Sequence, residues 1–304
     1  MAKDLLLEKL SSELSGIIER IAPSIVLVQG KRFPSSGVVW QKNLVVTSDH
    51  TLAGSDEFRI HTSSGQNLDA AVAGRDPSRD IAFLKTDEDL PPLKPTQKKH
   101  LQTGHLALIA GKAAGGRLLT LLTMISGADS EYRNWRGGTF DQFIRLDTAP
   151  FPGFSGSALI DSEGNVAGIN SSSFSRHFGL TIPASNIDRL AQRLLSKGFI
   201  ARPYLGVMMQ PAGLPEKLRE QTGATIGLLV VNTVKESPAE AAGLGIGDIL
   251  VRLDGKTLNS MEDLQDLLTE ESIGKSLKST IVRGGIVQEL ELKVGERPVR
   301  TLRQ

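Results

Sequence analysis

Between residues 24 and 183 the chain is cut into short β-rich runs by Gly, Asn, Asp and Ser, and this rhythm limits the fold more than any other feature. The first set is SIVLVQ (24–29), SGVVWQ (36–41), NLVVTS (43–48), EFRIHT (57–62), LDAAVAG (68–74) and IAFLK (81–85). The segment DEDLPPLKPTQKKH (87–100) follows, where proline removes donors and fixes φ, so no regular element is expected. The second set is HLALIAG (105–111), RLLTLLTMIS (117–126), QFIRLD (142–147), SALI (157–160), NVAGIN (165–170) and HFGLTIP (177–183). Two groups of about six strands either side of a linker predict two small antiparallel barrels, which hide their edges by closure.

The flanks read differently. Leu7, Leu10, Leu14, Ile17, Ile18 and Ile21 recur at helical spacing, so residues 1–22 are expected to be a helical segment, either packed on the body or contacting another subunit. ASNIDRLAQRLLSK (184–197) is a second amphipathic helix, stopped by Gly198. Beyond it comes a compact α+β module. Ser237-Pro238-Ala239-Glu240 is a capped helix start, Ser260 to Leu268 an amphipathic helix, and LKSTIVRGGIVQELELKV a hairpin turning at Gly284-Gly285.

Composition excludes several chemistries. With no cysteine, disulfides, thiol catalysis and thiolate metal sites are ruled out. The five histidines show no paired metal-ligand spacing, so a structural metal is not expected. A net charge of +1 speaks against a nucleic-acid partner. GKAAGG (111–116) lacks the spacing of a phosphate-binding loop. No apolar run is long enough for a membrane span, and the early acidic residues Asp4, Glu8, Glu13 and Glu19 break any export-signal core. The chain as written therefore reads as cytoplasmic, with a periplasmic or envelope location the alternative if an export signal has been removed.

Chemistry concentrates around APFPGFSGSALI (149–160), where Ser155 stands between two glycines. Serine needs a base to take its proton, and that base needs an orienting carboxylate. VVTSDH is expected to end a strand at His50, and Asp80 stands at the mouth of the strand IAFLK. The order His50, Asp80, Ser155 is that of chymotrypsin-like enzymes, whereas an α/β-hydrolase elbow would need Gly at 157 and the carboxylate and histidine downstream. Asp49 is a poor orienter, because neighbours on an extended chain point apart.

The segments TSDHTLAGS, DPSRDIAFLK, PGFSGSALIDSEGNVAGINS and FGLTIPASNIDRL resemble the HtrA (DegP-like) family of trypsin-fold serine proteases. RPYLGVMMQ through SPAEAAGLGIGDILVRLDGKTL resembles that family's single C-terminal PDZ domain. The resemblance implies a mostly β fold: a chymotrypsin-like double six-stranded β-barrel over 23–198, followed by an α+β PDZ domain over 203–297. It implies an ATP-independent endopeptidase of protein quality control, acting on unfolded chains and needing no cofactor. His50 would be the general base, Asp80 its orienter, Ser155 the nucleophile, and the N–H groups of Gly153 and Ser155 the oxyanion hole, at ~3 kcal/mol per donor in the transition state.

The residue six before the serine, Ala149, would sit at the base of the primary specificity pocket, with Phe178 to Leu180 lining it and favouring small or medium apolar side chains. Tyr204, Leu205, Gly206 and Val207 would form the carboxylate-binding loop for C-terminal peptides, with the helix from Ser260 as the groove wall. A homotrimer is the family's usual assembly, and the loop Asp129 to Gly138 would order the oxyanion turn on PDZ occupancy. Two departures stand out. Phe154 replaces a small polar residue, and Ser157-Ala158 replaces Gly-Pro. Backbone donors tolerate such changes, so activity is expected to survive, with Phe154 placed to crowd the entrance or cover the hole at rest. The alternatives are an inactive scaffold that binds peptides, and a chaperone that holds chains without cutting them.

Overall fold

The computed structural model describes residues 2–31, 33–53, 55, 57–98, 101–134, 138–148, 153–175, 177–197 and 203–297. The chain divides into two compact units, Met1–Ile200 and Ala201–Gln304.

The first unit opens with α1 (Ala2–Ile21). Its second half packs inward through Ile17 and Ile21, while Leu6, Leu7 and Leu10 stay exposed. Six strands then close a barrel: β1 (Ile25–Gln29), β2 (Ser35–Gln41), β3 (Leu44–Ser48), β4 (Phe58–His61), β5 (Asn67–Asp76) and β6 (Ile81–Thr86), in the order β1-β2-β3-β6-β5-β4. Among its described residues the linker holds no regular element, and it reaches the second barrel by a bridge from Pro95 to Val166.

The second barrel is built from β7 (Leu106–Lys112), β8 (Leu118–Asp129), β11 (Phe143–Leu146), β12 (Ala158–Ile160), β13 (Val166–Ser171) and β14 (Leu180–Pro183), in the order β11-β14-β13-β12-β7-β8. Between β8 and β11 lies a two-stranded pair, β9 (Tyr132–Arg133) with β10 (Thr139–Phe140), where the sequence reading placed only a loop. α2 (Ala184–Lys197) follows β14 directly.

Alternation along the strands sorts side chains into three buried clusters. Val26, Val39, Val45 and Leu84 fill the first barrel, and Ala107, Ile109, Leu146 and Leu159 the second. The third joins both barrels to the two helices through Val38, Phe83, Ala110, Ile160, Ile21 and Leu190. Trp40 adds a hydrogen bond from Nε1 to Asp188 of α2 at 2.8 Å, and burial raises the Asp188 carboxyl above the ordinary aspartate range.

The second unit has a six-stranded sheet. Its main path is β16 (Val207–Gly213), β17 (Ile226–Thr233), β18 (Ile249–Leu253), β20 (Ser276–Arg283) and β21 (Ile286–Lys293), with β19 (Lys256–Thr257) paired to β18. β15 (Pro203–Tyr204) pairs with β22 (Gly295–Glu296). The helices are α3 (Glu216–Thr222), α4 (Pro238–Ala241) and α5 (Met261–Leu267). Ser237 caps α4, and Ser260 with Asp263 forms a reciprocal capping box on α5. Leu228, Leu250, Leu264 and Ile281 form the core.

Candidate active site

His50 does not lie on a strand. It occupies a 3-10 turn, Asp49–Leu52, that follows β3, and so projects from the barrel end. Asp80 sits just before β6 at φ 56, a left-handed conformation that aspartate tolerates better than most residues. Its carboxylate is fully buried. Oδ1 accepts the backbone N–H of His50 at 2.9 Å, and His50 Nδ1 lies 3.0 Å from Oδ1 and 2.8 Å from Oδ2. Oδ2 also accepts the hydroxyl of Ser171 at 2.5 Å. The imidazole is thus held at Nδ1. Asp49 is occupied elsewhere, with Arg75 Nε 2.5 Å from its Oδ1.

Ser155 is 6% exposed and stands in the turn before β12. Its carbonyl accepts from Ser36 N at 3.1 Å, which ties the turn to the first barrel. Its Oγ lies 2.8 Å from Ser172 Oγ and accepts from Ser172 N at 3.3 Å. Consecutive serines at the end of β13 therefore reach both ends of the constellation, Ser171 to Asp80 and Ser172 to Ser155. Sequence reasoning passed over both, since a serine run before Phe174 carries no signal of its own. Gly153 adopts φ 83, a conformation open to glycine.

A narrow cleft opens beside Ser155, lined by Ile109, Leu121, Leu146, Thr148, Phe154 and Gly179 among others. Phe154 is a buried wall of this cleft and belongs to the second-barrel cluster. Ser157 is fully buried and accepts from Asn170 Nδ2 at 3.1 Å. Ala149 lies outside the described residues, and neither Phe178 nor Leu180 lines the cleft. Phe178 instead meets Phe143 edge to face at 6.4 Å and the Arg145 guanidinium at 4.6 Å. Parity explains the difference. Gly179 lines the cleft and Thr181 bonds the cleft residue Asn170, so Leu180, between them, points to the opposite face.

The hairpin β9–β10 is bound to the Asp80 loop. Asn134 Nδ2 donates to Ser78 O at 2.7 Å, and Arg79 Nε to Thr139 O at 2.9 Å. Tyr132 and Phe140 stack at 6.1 Å, and Phe140 meets Phe174 at 5.6 Å, two residues beyond Ser172.

Lys112, at the end of β7, is 3% exposed, and the next residue, Ala113, borders Gly153. Among the described residues it forms no ion pair. Burial pushes its ammonium below the ordinary lysine value of 10.5. Between that lowered value and 10.5 the unfolded chain binds more protons than the folded one, so stability rises with pH there. Lys112→Met is expected to stabilise the fold at pH 7 by about 1 kcal/mol, with the gain shrinking as pH nears the free-lysine range. Urea unfolding at pH 7 and pH 10 measures both.

In the second unit, Tyr204 lies on β15 and pairs with Gly295. Leu205 is buried and its carbonyl accepts from Ala239 N at 2.8 Å. Gly206 has φ 76 and packs so tightly on Ser237 that a side chain would overlap it. Val207 begins β16, the edge strand, and α5 packs beside it. The four residues thus run through a buried turn at Leu205 and Gly206 into an edge strand of the sheet. No group of His, Asp or Glu able to hold a metal occurs among the described residues.

The family described as "Trypsin-like peptidase domain" matches residues 35–169, and the PDZ domain family matches residues 203–294. The chain is 28% identical over 279 residues to the serine protease Do-like HtrA of Lactobacillus helveticus, covering 85% of this chain and 67% of that protein. It is 31% identical over 272 residues to a probable periplasmic serine endoprotease DegP-like of Pseudomonas fulva, covering 87% of this chain. The chain spans only 56% of that relative's length. A solved HtrA-type protease, AlgW with decapeptide, superposes with a TM-score of 0.69 at 26% identity, covering 94% of this chain and 99% of that one. A trypsin-like peptidase domain followed by one PDZ domain is the class defined by fold and site. The curated relatives and solved structures it is similar to are serine proteases of the HtrA (DegP-like) family. No helix among the described residues is long and apolar enough to cross a membrane, and the cytoplasmic expectation finds no support in relatives named as periplasmic.

Proposed function

We propose that the chain is an ATP-independent serine endopeptidase that cleaves unfolded or misfolded protein segments. The carrying observation is the buried Asp80 carboxylate bonded to His50 Nδ1, joined through Ser171 and Ser172 to Ser155. In this reading Ser155 Oγ attacks the substrate carbonyl. His50 Nε2 takes its proton and later passes it to the leaving amine, while Asp80 stabilises the imidazolium. The N–H groups of Gly153 and Ser155 receive the oxyanion. The cleft walls Ile109, Leu121, Leu146 and Phe154 suit an apolar side chain at the cut site. The protease domain is taken as 23–198 and the PDZ domain as 203–297. In the latter, Tyr204 to Val207 capture a chain terminus and β16 accepts the peptide as an added strand. A homotrimer and a periplasmic location follow from the family, the second from the names of the DegP-like relatives.

A fluorophosphonate probe tests the reading. The label is expected on Ser155 by peptide mapping, with cleavage of unfolded casein and not of a compact folded protein. Absence of label at Ser155, with casein kept soluble but intact, would replace the endopeptidase by a holding protein. Deleting 203–304 is expected to abolish any response of cleavage to C-terminal peptides.

A further inference from the structure

Among the described residues, the hydrogen bonds of the Ser155 hydroxyl run to Ser172, and none runs to His50. The imidazole meanwhile is oriented from behind by Asp80. The base is therefore assembled and the nucleophile is not yet engaged with it. Ser155 Oγ receives the Ser172 N–H at 3.3 Å, which occupies a lone pair, and it shares a proton with Ser172 Oγ at 2.8 Å. Both contacts must loosen before the hydroxyl can turn about χ1 to present its proton to the imidazole. Ser172 is half-buried and lines the cleft.

We propose that Ser172 is a positioning residue that keeps the Ser155 hydroxyl out of hydrogen bonding with His50 until a substrate chain enters the cleft. This rests on the reading of Ser155 as the nucleophile. A peptide backbone carries its own donors and acceptors, so a chain lying in the cleft competes for the Ser172 hydroxyl and N–H. As those bonds pass to the substrate, Ser155 is released towards the imidazole. Ser171, one residue earlier, is committed to Asp80 and holds this strand end in place, so the contact with Ser155 is made from a fixed point. In the attack itself, the Ser155 proton passes to His50 Nε2 as the Oγ–carbon bond forms and the carbonyl pair moves to oxygen. Ser172 takes no part in that transfer.

Ser172→Ala removes the hydroxyl contact and keeps the backbone one. Losing one neutral hydrogen bond to the resting nucleophile is expected to raise the fluorophosphonate labelling rate by about fivefold. On a peptide substrate the gain should appear in kcat/KM, with kcat little changed, because the resting contact is already given up once the substrate is bound. Ser172→Thr keeps a hydroxyl and is expected to label at the wild-type rate, a rescue that a packing role would not produce. Ser155→Ala must be unlabelled in every background. Labelling of Ser155 at equal or lower rate in Ser172→Ala overturns the proposal and leaves the nucleophile in place, as does a threonine variant that behaves like alanine. Failure of wild-type and Ser172→Ala alike to label at Ser155 overturns the nucleophile and this proposal together.

Discussion

Replacing Asp80 with asparagine is expected to lower kcat by about four orders of magnitude while leaving the fold intact. The hydrogen-bond pattern dictates how the amide must sit. Oδ1 accepts the backbone N–H of His50 at 2.9 Å, so an NH₂ cannot take that place without setting donor against donor. The amide nitrogen is therefore forced into the position of Oδ2, 2.8 Å from His50 Nδ1. There it donates to Nδ1 and drives the proton to Nε2, the nitrogen that has to receive one from Ser155. The variant also loses the negative charge that stabilises the imidazolium. Ser171 adapts readily, because its hydroxyl can accept from the new NH₂ in place of donating to Oδ2. Thermal unfolding should therefore change little while kcat collapses. A loss of less than tenfold would remove Asp80 from the catalytic machinery.

The barrels were legible because strands buried on one face alternate, and each interruption in the chain carries turn residues. Every strand expected between 24 and 86 appears within three residues of its expected ends, from β1 to β6. Short elements escaped. α3 has only Leu218 and Thr222 buried, too few to set a helical period, although Pro215 at its N-cap and Gly223 at φ 67 marked its ends. β9 and β10 are two residues each, below the length at which alternation can be recognised. The candidate triad could be picked out from its flanking motifs, and the structure places His50 against Asp80. The cleft was not legible. Its walls come from β7, β8, β11 and the turn before β12, and which face of the 178–181 stretch looks inward depends on a pairing register that one sequence does not state. Phe154 illustrates the same limit. Its neighbours suggested an obstruction at the entrance, whereas the turn carries the ring into the second-barrel core.

Gly156→Ala is expected to destabilise the protein by about 4 kcal/mol or more and to remove activity with it. Gly156 has φ 87, where a side chain already costs about 1–2 kcal/mol. An added Cβ would overlap the Ser36 carbonyl oxygen and approach Thr47 Oγ1 to 2.6 Å. Neither neighbour can give way cheaply. Ser36 is on β2, its N–H donates to Ser155 O at 3.1 Å, and its carbonyl accepts from Thr47 on β3 at 2.6 Å. On the other side, Gly156 N donates to Asn170 O at 2.9 Å. The turn that carries Ser155 is thus gripped by both barrels through backbone atoms. A methyl group here must push the turn off the first barrel, losing the Ser36–Ser155 bond, or pull it from β13, losing the bond to Asn170, at about 1 kcal/mol for each bond. Either movement shifts Ser155 by a distance that costs about a hundredfold in rate even in molecules that stay folded. Ser157→Ala is the matched control. It removes one buried bond, to Asn170, at the next position but one from Ser155, and should cost only about 1 kcal/mol. If both variants melted within a degree or two of wild type, the grip of the two barrels on this turn would not be what holds Ser155 in place.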